Sequence, residues 1–221
     1  MELTIEQLAK MIDHTELKPN ASRKKIEKIC EEARHHNFAA VCINPVHVQY
    51  VSDLLKGSSV QVCCVVGFPL GSNLSEIKAK EAELAVSQGA HEIDMVLNVG
   101  ALLDKDYDYV KSDIHSVVMA SGSASVKVIL ETGFLSDEEI RKACLLAKEA
   151  GADYVKTSTG FGPRGASVHD VEIMQDVVGE DLKIKAAGGI RNFETALELI
   201  KAGADRLGAS AGVAIIKGFP K

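Results

Sequence analysis

Two lysines and an aspartate stand where this chain could do covalent chemistry. Lys156 ends the run DYVK, Lys185 ends LKIK, and Asp94 falls in HEIDM. Each lysine closes a short apolar strand and precedes a loop that contains glycine. Side chains alternate along a strand, so Tyr154 and Lys156 share one face, as do Lys183 and Lys185. If that face lines a common interior, two ammonium groups meet in a partly dry space. Like charge and desolvation both disfavour a protonated lysine. A free lysine titrates near about 10.4 and is a weak nucleophile at neutral pH. A neighbouring cation is one way to release its neutral amine. The pattern predicts one Schiff-base lysine and a second that activates it. The plainer alternative is that both point to solvent, as most lysines do.

Asp94 beside such a pair could relay protons through water, or could only neutralise buried charge. Asp13 and Thr15 in MIDHTEL, Cys42 in AAVCIN and Thr157 directly after Lys156 are candidates to support the network. Glu131 could join it, or could equally be a solvated strand-end carboxylate. Small residues then suggest an anion cradle. Gly188 and Gly189 follow the second lysine, and Gly208 leads to Ser210 ahead of the short apolar run AGVAIIKG. Exposed backbone N–H groups at such turns, and a helix start, favour a phosphate. The loop from Thr157 to Gly160 adds hydroxyls and a third close backbone approach.

These residues need elements to hold them. An Ala-rich helix ending in Gly-Ala and leading to a strand recurs at 81–97, 141–158 and 195–210. The glycine fits a helix C′ position, where positive φ is needed. Helix starts are expected at Ser22, at Ser75 before Glu76, at Ser136 with Glu139 as a capping box, and at Asn192. Candidate strands lie near residues 12, 41, 64, 94, 129, 155, 185 and 207, about one βα unit apart. The spacing predicts a (β/α)8 TIM barrel, an α/β single domain over 1–221 with a short N-terminal helix. An open doubly wound sheet is the alternative. The lysine strands are counted as five and six, and the glycine turns as following strands five to seven. In a barrel such residues at strand C-terminal ends converge on one site.

Composition narrows the class. The chain has 221 residues, 46% hydrophobic and 25% charged, which suits a globular protein rather than a disordered one. A formal charge of −6 argues against general nucleic-acid binding but not against a phosphorylated small molecule. Five cysteines without a C-x-x-C pair suit free thiols in a reducing cytoplasm. Cys63 and Cys64 face opposite ways on one strand and read as packing residues. No histidine pair has ligand spacing, so no metal is expected. No apolar run is long enough for a membrane span, and the N-terminus does not read as a signal peptide.

Taken in order, IDHTEL, AAVCINP, EIDMVLNVG, ETG at 131–133, DYVKTSTGFG, IKAAGGIR and LGAS resemble the deoxyribose-phosphate aldolase family. The resemblance runs from about Leu8 to Ile216. It implies a class I aldolase, a lyase with no cofactor and no metal. The implied reaction cleaves 2-deoxy-D-ribose 5-phosphate reversibly to D-glyceraldehyde 3-phosphate and acetaldehyde. It implies Lys156 as the Schiff-base residue, with Lys185 and Asp94 in proton transfer. Phosphate contacts are implied around Gly160, Gly188, Gly189, Gly208 and Ser210. Phe161 stands after S-T-G, where some members carry lysine, so that position offers no cation. A homodimer is implied, though the sequence marks no interface. Other readings remain open: a Schiff-base aldolase or transaldolase for another phosphosugar, a phosphosugar isomerase without a lysine nucleophile, or a non-catalytic phosphosugar sensor.

Overall fold

Glycine ends the three helices that carry the repeated Gly-Ala pattern. Gly89, Gly151 and Gly203 adopt φ of +102°, +88° and +118°, where a side chain would strain the backbone. Each turn releases the chain directly into a strand. The computed structural model describes residues 3–220. Its strands are β1 (Ile12–Glu16), β2 (Ala40–Ile43), β3 (Gln61–Val66), β4 (Glu92–Val96), β5 (Ser125–Ile129), β6 (Tyr154–Lys156), β7 (Lys183–Ala187) and β8 (Arg206–Ala209). They are all parallel and close into a barrel in sequence order, with β8 pairing β1. The closed ring excludes the open-sheet alternative. Lys156 ends β6 and Lys185 lies on β7, the sixth and seventh of the eight candidate strands, so the count of five and six is corrected by one.

The helices are α1 (Ile5–Ala9), α2 (Arg23–His36), α3 (Val48–Leu55), α4 (Ser75–Ser87), α5 (Val99–Leu103), α6 (Tyr107–Ala120), α7 (Asp137–Glu149), α8 (Val168–Val178), α9 (Phe193–Lys201) and α10 (Gly212–Lys217). Ser136 and Glu139 form the expected capping box on α7, and Asn192 caps α9 by accepting the Thr195 N–H at 2.9 Å. Two expected starts differ. Leu74 holds the cap position of α4 and Ser75 is already helical, while Ser22 caps α2 without a side-chain bond. Ser210 does not open α10 itself; Ala211 occupies that cap. Among the described residues no helix is long and apolar enough to cross a membrane.

Strand parity separates two cores. Outward residues such as Val41, Val62, Ile93, Met95, Val128 and Ile184 are fully or almost fully buried and pack with the helices in one large apolar shell. Inward residues differ. A small apolar cluster of Leu17, Ala40, Cys42, Cys63 and Val65 fills the side near β2 and β3. The remaining interior is charged: Asp13, Glu92, Asp94, Lys127, Lys156 and Lys185 are all buried. Register makes them neighbours, pairing Asp94 with Lys127, Lys156 with Lys185, and Lys185 with Arg206. Adjacent strands lie about 4.8 Å apart, so such partners can touch. Gly208 makes room among them, because a Cβ there would come within 3.1 Å of the Lys185 Cε.

Candidate active site

Asp94 joins the charged interior together. Its Oδ2 accepts from Lys156 Nζ and from Lys185 Nζ, each at 2.7 Å. Its Oδ1 accepts from Lys127 Nζ at 2.9 Å and from the Cys63 thiol at 3.1 Å. The two lysine nitrogens therefore share one carboxylate oxygen. Lys185 also donates to Asp13 Oδ2. Arg206 donates to Asp13 Oδ1 at 2.7 Å and to Glu92 Oε1 at 3.2 Å. Lys127 donates to Glu92 Oε2 at 2.6 Å and so closes a loop back to Asp94. The result is a ring of alternating charge: Asp94, Lys185, Asp13, Arg206, Glu92, Lys127. Three cations face three carboxylates. Lys156 hangs on this ring through Asp94 alone.

The ring fixes its own protonation. Burial works against charge on every member, but the neighbours outweigh it. Lys127, Lys156 and Lys185 hold the Asp94 carboxyl well below the usual range despite its burial. Burial would raise Asp13, yet Lys185, Arg206 and Lys127 bring it down to about 2. In return, Asp13 and Asp94 hold Lys185 above the usual lysine range against its burial, and Asp94 does the same for Lys127. Lys185 is thus a fixed cation. That differs from a pair of lysines acting on each other alone, because carboxylates sit between the amines.

Above the ring opens a cavity of about 550 Å³. Of the seven charged interior groups, only Lys156 lines it. Its walls include Thr15, Gly160, Gly188, Gly189, Gly208 and Ser210, so every expected cradle residue reaches the same space. Gly160 follows β6, and Gly188 and Gly189 follow β7, whereas Gly208 lies within β8 and not in a turn after it. Gly188 takes φ of +90°, and a Cβ on it would meet the Gly165 Cα at 2.9 Å. The turn is therefore closed to larger residues, and its backbone faces the cavity.

The supporting residues have separate tasks. Asp13 belongs to the ring. Thr15 lines the cavity and donates its hydroxyl to the Asp13 carbonyl at 2.8 Å. Thr157 bridges β6 to β7, donating to the Ala187 carbonyl at 3.1 Å and accepting the Ala187 N–H at 3.0 Å. Cys42 is buried, 4.0 Å from Asp94 Oδ2, and does not line the mouth. A hydrogen bond from Cys63 and the Lys185 charge lower its thiol despite burial. Cys63 is more than a packing residue, since it touches both Asp94 and Lys127. Glu131 neither joins the ring nor meets solvent. It is buried and accepts the Thr159 N–H at 3.2 Å and the Thr159 hydroxyl, which braces the loop after Lys156. Lys127, Glu92 and Arg206 were not singled out from the sequence. Their signal is parity: each lies two residues before an inward residue at its strand's C-terminal half.

His14 meets Glu32, and His91 accepts the Val62 N–H. Two triplets, Cys42–Cys63–Asp94 and Asp13–Cys63–Glu92, gather ligand-type atoms. Their carboxylates are already occupied by lysine and arginine groups, whose positive charge opposes a second cation.

A closed parallel barrel with a lysine-lined, glycine-walled cavity is the frame in which relatives can be compared. The family model described as DeoC/LacD family aldolase matches residues 7–218. The chain belongs to this aldolase family. It is 57% identical to the deoxyribose-phosphate aldolase of Caldanaerobacter subterraneus subsp. tengcongensis, across 100% of this chain and 96% of that protein. Among solved structures, the aldolase QR15 superposes with a TM-score of 0.91 at 44% identity, covering 95% of this chain and 94% of that one. A tetrameric deoxyribose phosphate aldolase from Aeropyrum pernix superposes with a TM-score of 0.90 at 33% identity, covering 97% and 91%. The family membership makes the chain a class I aldolase, a lyase, and removes the isomerase and sensor readings.

Proposed function

We propose that this chain cleaves 2-deoxy-D-ribose 5-phosphate to D-glyceraldehyde 3-phosphate and acetaldehyde through a Schiff base on Lys156. One observation carries the assignment of the nucleophile. The interior ring balances three cations against three carboxylates without Lys156, and of the charged groups buried in the barrel interior Lys156 alone lines the cavity. It is the interior amine that a substrate carbonyl can reach, and among the described residues its only side-chain partner is Asp94.

The open-chain sugar lies with C1 at Lys156 and its phosphate against the glycine turns. The amine adds to C1, water leaves, and an iminium forms. A water held by Asp94 and Lys185 takes the proton from the C3 hydroxyl. The C2–C3 bond breaks, its electrons pass into the iminium as an enamine, and glyceraldehyde 3-phosphate departs. The enamine is protonated at C2 and hydrolysed, releasing acetaldehyde and the free lysine. Holding the phosphate fixes the distance from C5 to the reacting carbons. Gly160, Gly188, Gly189 and Gly208 supply backbone contacts for it and Ser210 a hydroxyl.

The test is borohydride reduction with acetaldehyde, followed by peptide mass mapping. The adduct is expected on Lys156. Lys156→Ala should lose trapping and lower turnover by on the order of 10⁴-fold or more. An adduct on another lysine, or turnover retained in that variant, overturns the assignment. We place the chain in the cytoplasm, where its five buried free cysteines stay reduced. We take it to be a homodimer, as the family resemblance implies. Light scattering tests this, and a monomer or a tetramer like the Aeropyrum relative would refute it.

A further inference from the structure

The cavity carries one carboxylate that the reaction does not use. Glu16 ends β1, is 5% exposed, and lines the cavity together with Gly189, Gly208 and Ser210. Its Oε1 accepts the Lys18 N–H at 3.0 Å, which ties the carboxylate to the rim instead of letting it turn to water. A fixed negative charge at that end opposes a phosphate dianion. The first turn of α2 answers it: the Lys25 ammonium pairs with Glu16 Oε2, and Lys25 lines the same cavity. This ion pair shares no contact with the ring around Asp94. The phosphate end therefore has its own charge control, separate from the chemistry.

We propose that Lys25 sets the preference for a phosphorylated substrate by neutralising Glu16 at the phosphate end of the cavity. This rests on the aldolase reading above. Backbone donors at the glycine turns bind the phosphate, and Lys25 keeps the neighbouring wall from repelling it. The Lys25 side chain is 42% exposed, so solvent screens its charge and its effect is moderate.

The measured quantity is the ratio of kcat/KM for 2-deoxyribose 5-phosphate to kcat/KM for 2-deoxyribose. Lys25→Met should lower this ratio about tenfold, the scale of one partly screened charge, and mainly through the KM of the phosphorylated sugar. Lys25→Arg should keep most of it. Lys25→Met combined with Glu16→Gln should recover most of the loss, because the uncovered carboxylate is gone. Lys24→Met, on the same helix but outside the cavity, is the control. An unmoved ratio in Lys25→Met, or no recovery in the double variant, overturns the proposal. Titration with inorganic phosphate gives a readout independent of turnover: Lys25→Met should weaken its binding about tenfold and the double variant should restore it. Acetaldehyde trapping on Lys156 involves no phosphate. Its failure in the unaltered chain would overturn the aldolase reading, while the phosphate titration would still decide the role of Lys25.

Discussion

On β4, neighbouring residues live in opposite environments. Ile93 and Met95 face outward into the apolar shell, while Glu92 and Asp94 face inward to lysine and arginine. All four are buried. The outer shell gains stability by removing apolar surface from water, roughly 25 cal/mol per Å². The interior follows another rule. Desolvating charges is costly, and a buried ion pair repays that cost only with good geometry. The ring meets the condition by giving each carboxylate two cationic partners. Fold and function are thus separated by one β-strand thickness. The shell holds the barrel, and the barrel holds a charge arrangement that would not assemble in water.

The sharpest way to break this comparison is to remove one ring cation. Lys127→Met leaves Glu92 and Asp94 each short of a partner. Stability should fall by about 3–5 kcal/mol, the usual cost of an uncompensated buried charge. Activity at neutral pH should fall as well. With Lys127 gone, the Asp94 carboxyl loses the foremost of the charges that hold it down against its burial, so the acid limb of the pH–rate profile should move to higher pH. Lys127→Met with Glu92→Gln restores the balance of the rest and should regain both stability and neutral-pH activity in part. If Lys127 served packing alone, urea unfolding would show the stability loss while the pH–rate profile stayed in place.

Much of this site was legible in the sequence because Lys156 and Lys185 interrupt apolar strands shortly ahead of glycine-containing loops. Lys156 closes β6, whereas Lys185 and Asp94 sit at the middle of β7 and β4 and not at the strand ends the sequence suggested. Lys127 was missed although it too interrupts an apolar strand, in SVKVI. It holds the same middle position on its strand as Lys185 and Asp94 do on theirs, but no glycine turn follows it closely, and only the barrel register shows that it meets Asp94. Arg206 and Asp13 are 193 residues apart and meet only on closure of β8 against β1. Glu131 was ambiguous for a different reason. Its partner lies on the loop after another strand, and loop courses have no periodicity to read. The buried pair of Lys78 on α4 and Asp113 on α6, at 2.6 Å, was hidden because both look like solvent-facing helix charges.

The shell side of the comparison gives a smaller and simpler effect. Ile93→Ala removes a fully buried side chain from the outer core. The expected loss is about 2–5 kcal/mol of stability, from lost transfer energy and the cavity left behind. Turnover per folded molecule should not change, because Ile93 points away from Asp94 across the strand. Urea unfolding and active-site titration by acetaldehyde trapping measure the two quantities separately. A drop in kcat with full trapping would mean that shell packing reaches through the wall to the ring, and the separation of the two cores would be wrong.

The smallest effect lies in acid. Asp13 is buried in the ring and its carboxyl is held down at about 2, against 3.8 for the free group. A carboxyl lowered on folding contributes stability that is complete above its unfolded value and is lost as pH falls through the folded value. For Asp13 that window runs from about pH 4 down to about pH 2, and the contribution is about 2 kcal/mol. Asp13→Asn cannot take up that proton. Its stability should therefore fall less steeply than the unaltered chain's across this window, by the slope of about one proton. Denaturant unfolding at half-unit pH steps reads the difference directly. Equal slopes would show that the Asp13 carboxyl is not lowered on folding, and the cationic neighbours assigned to it in the alternating ring would be wrong.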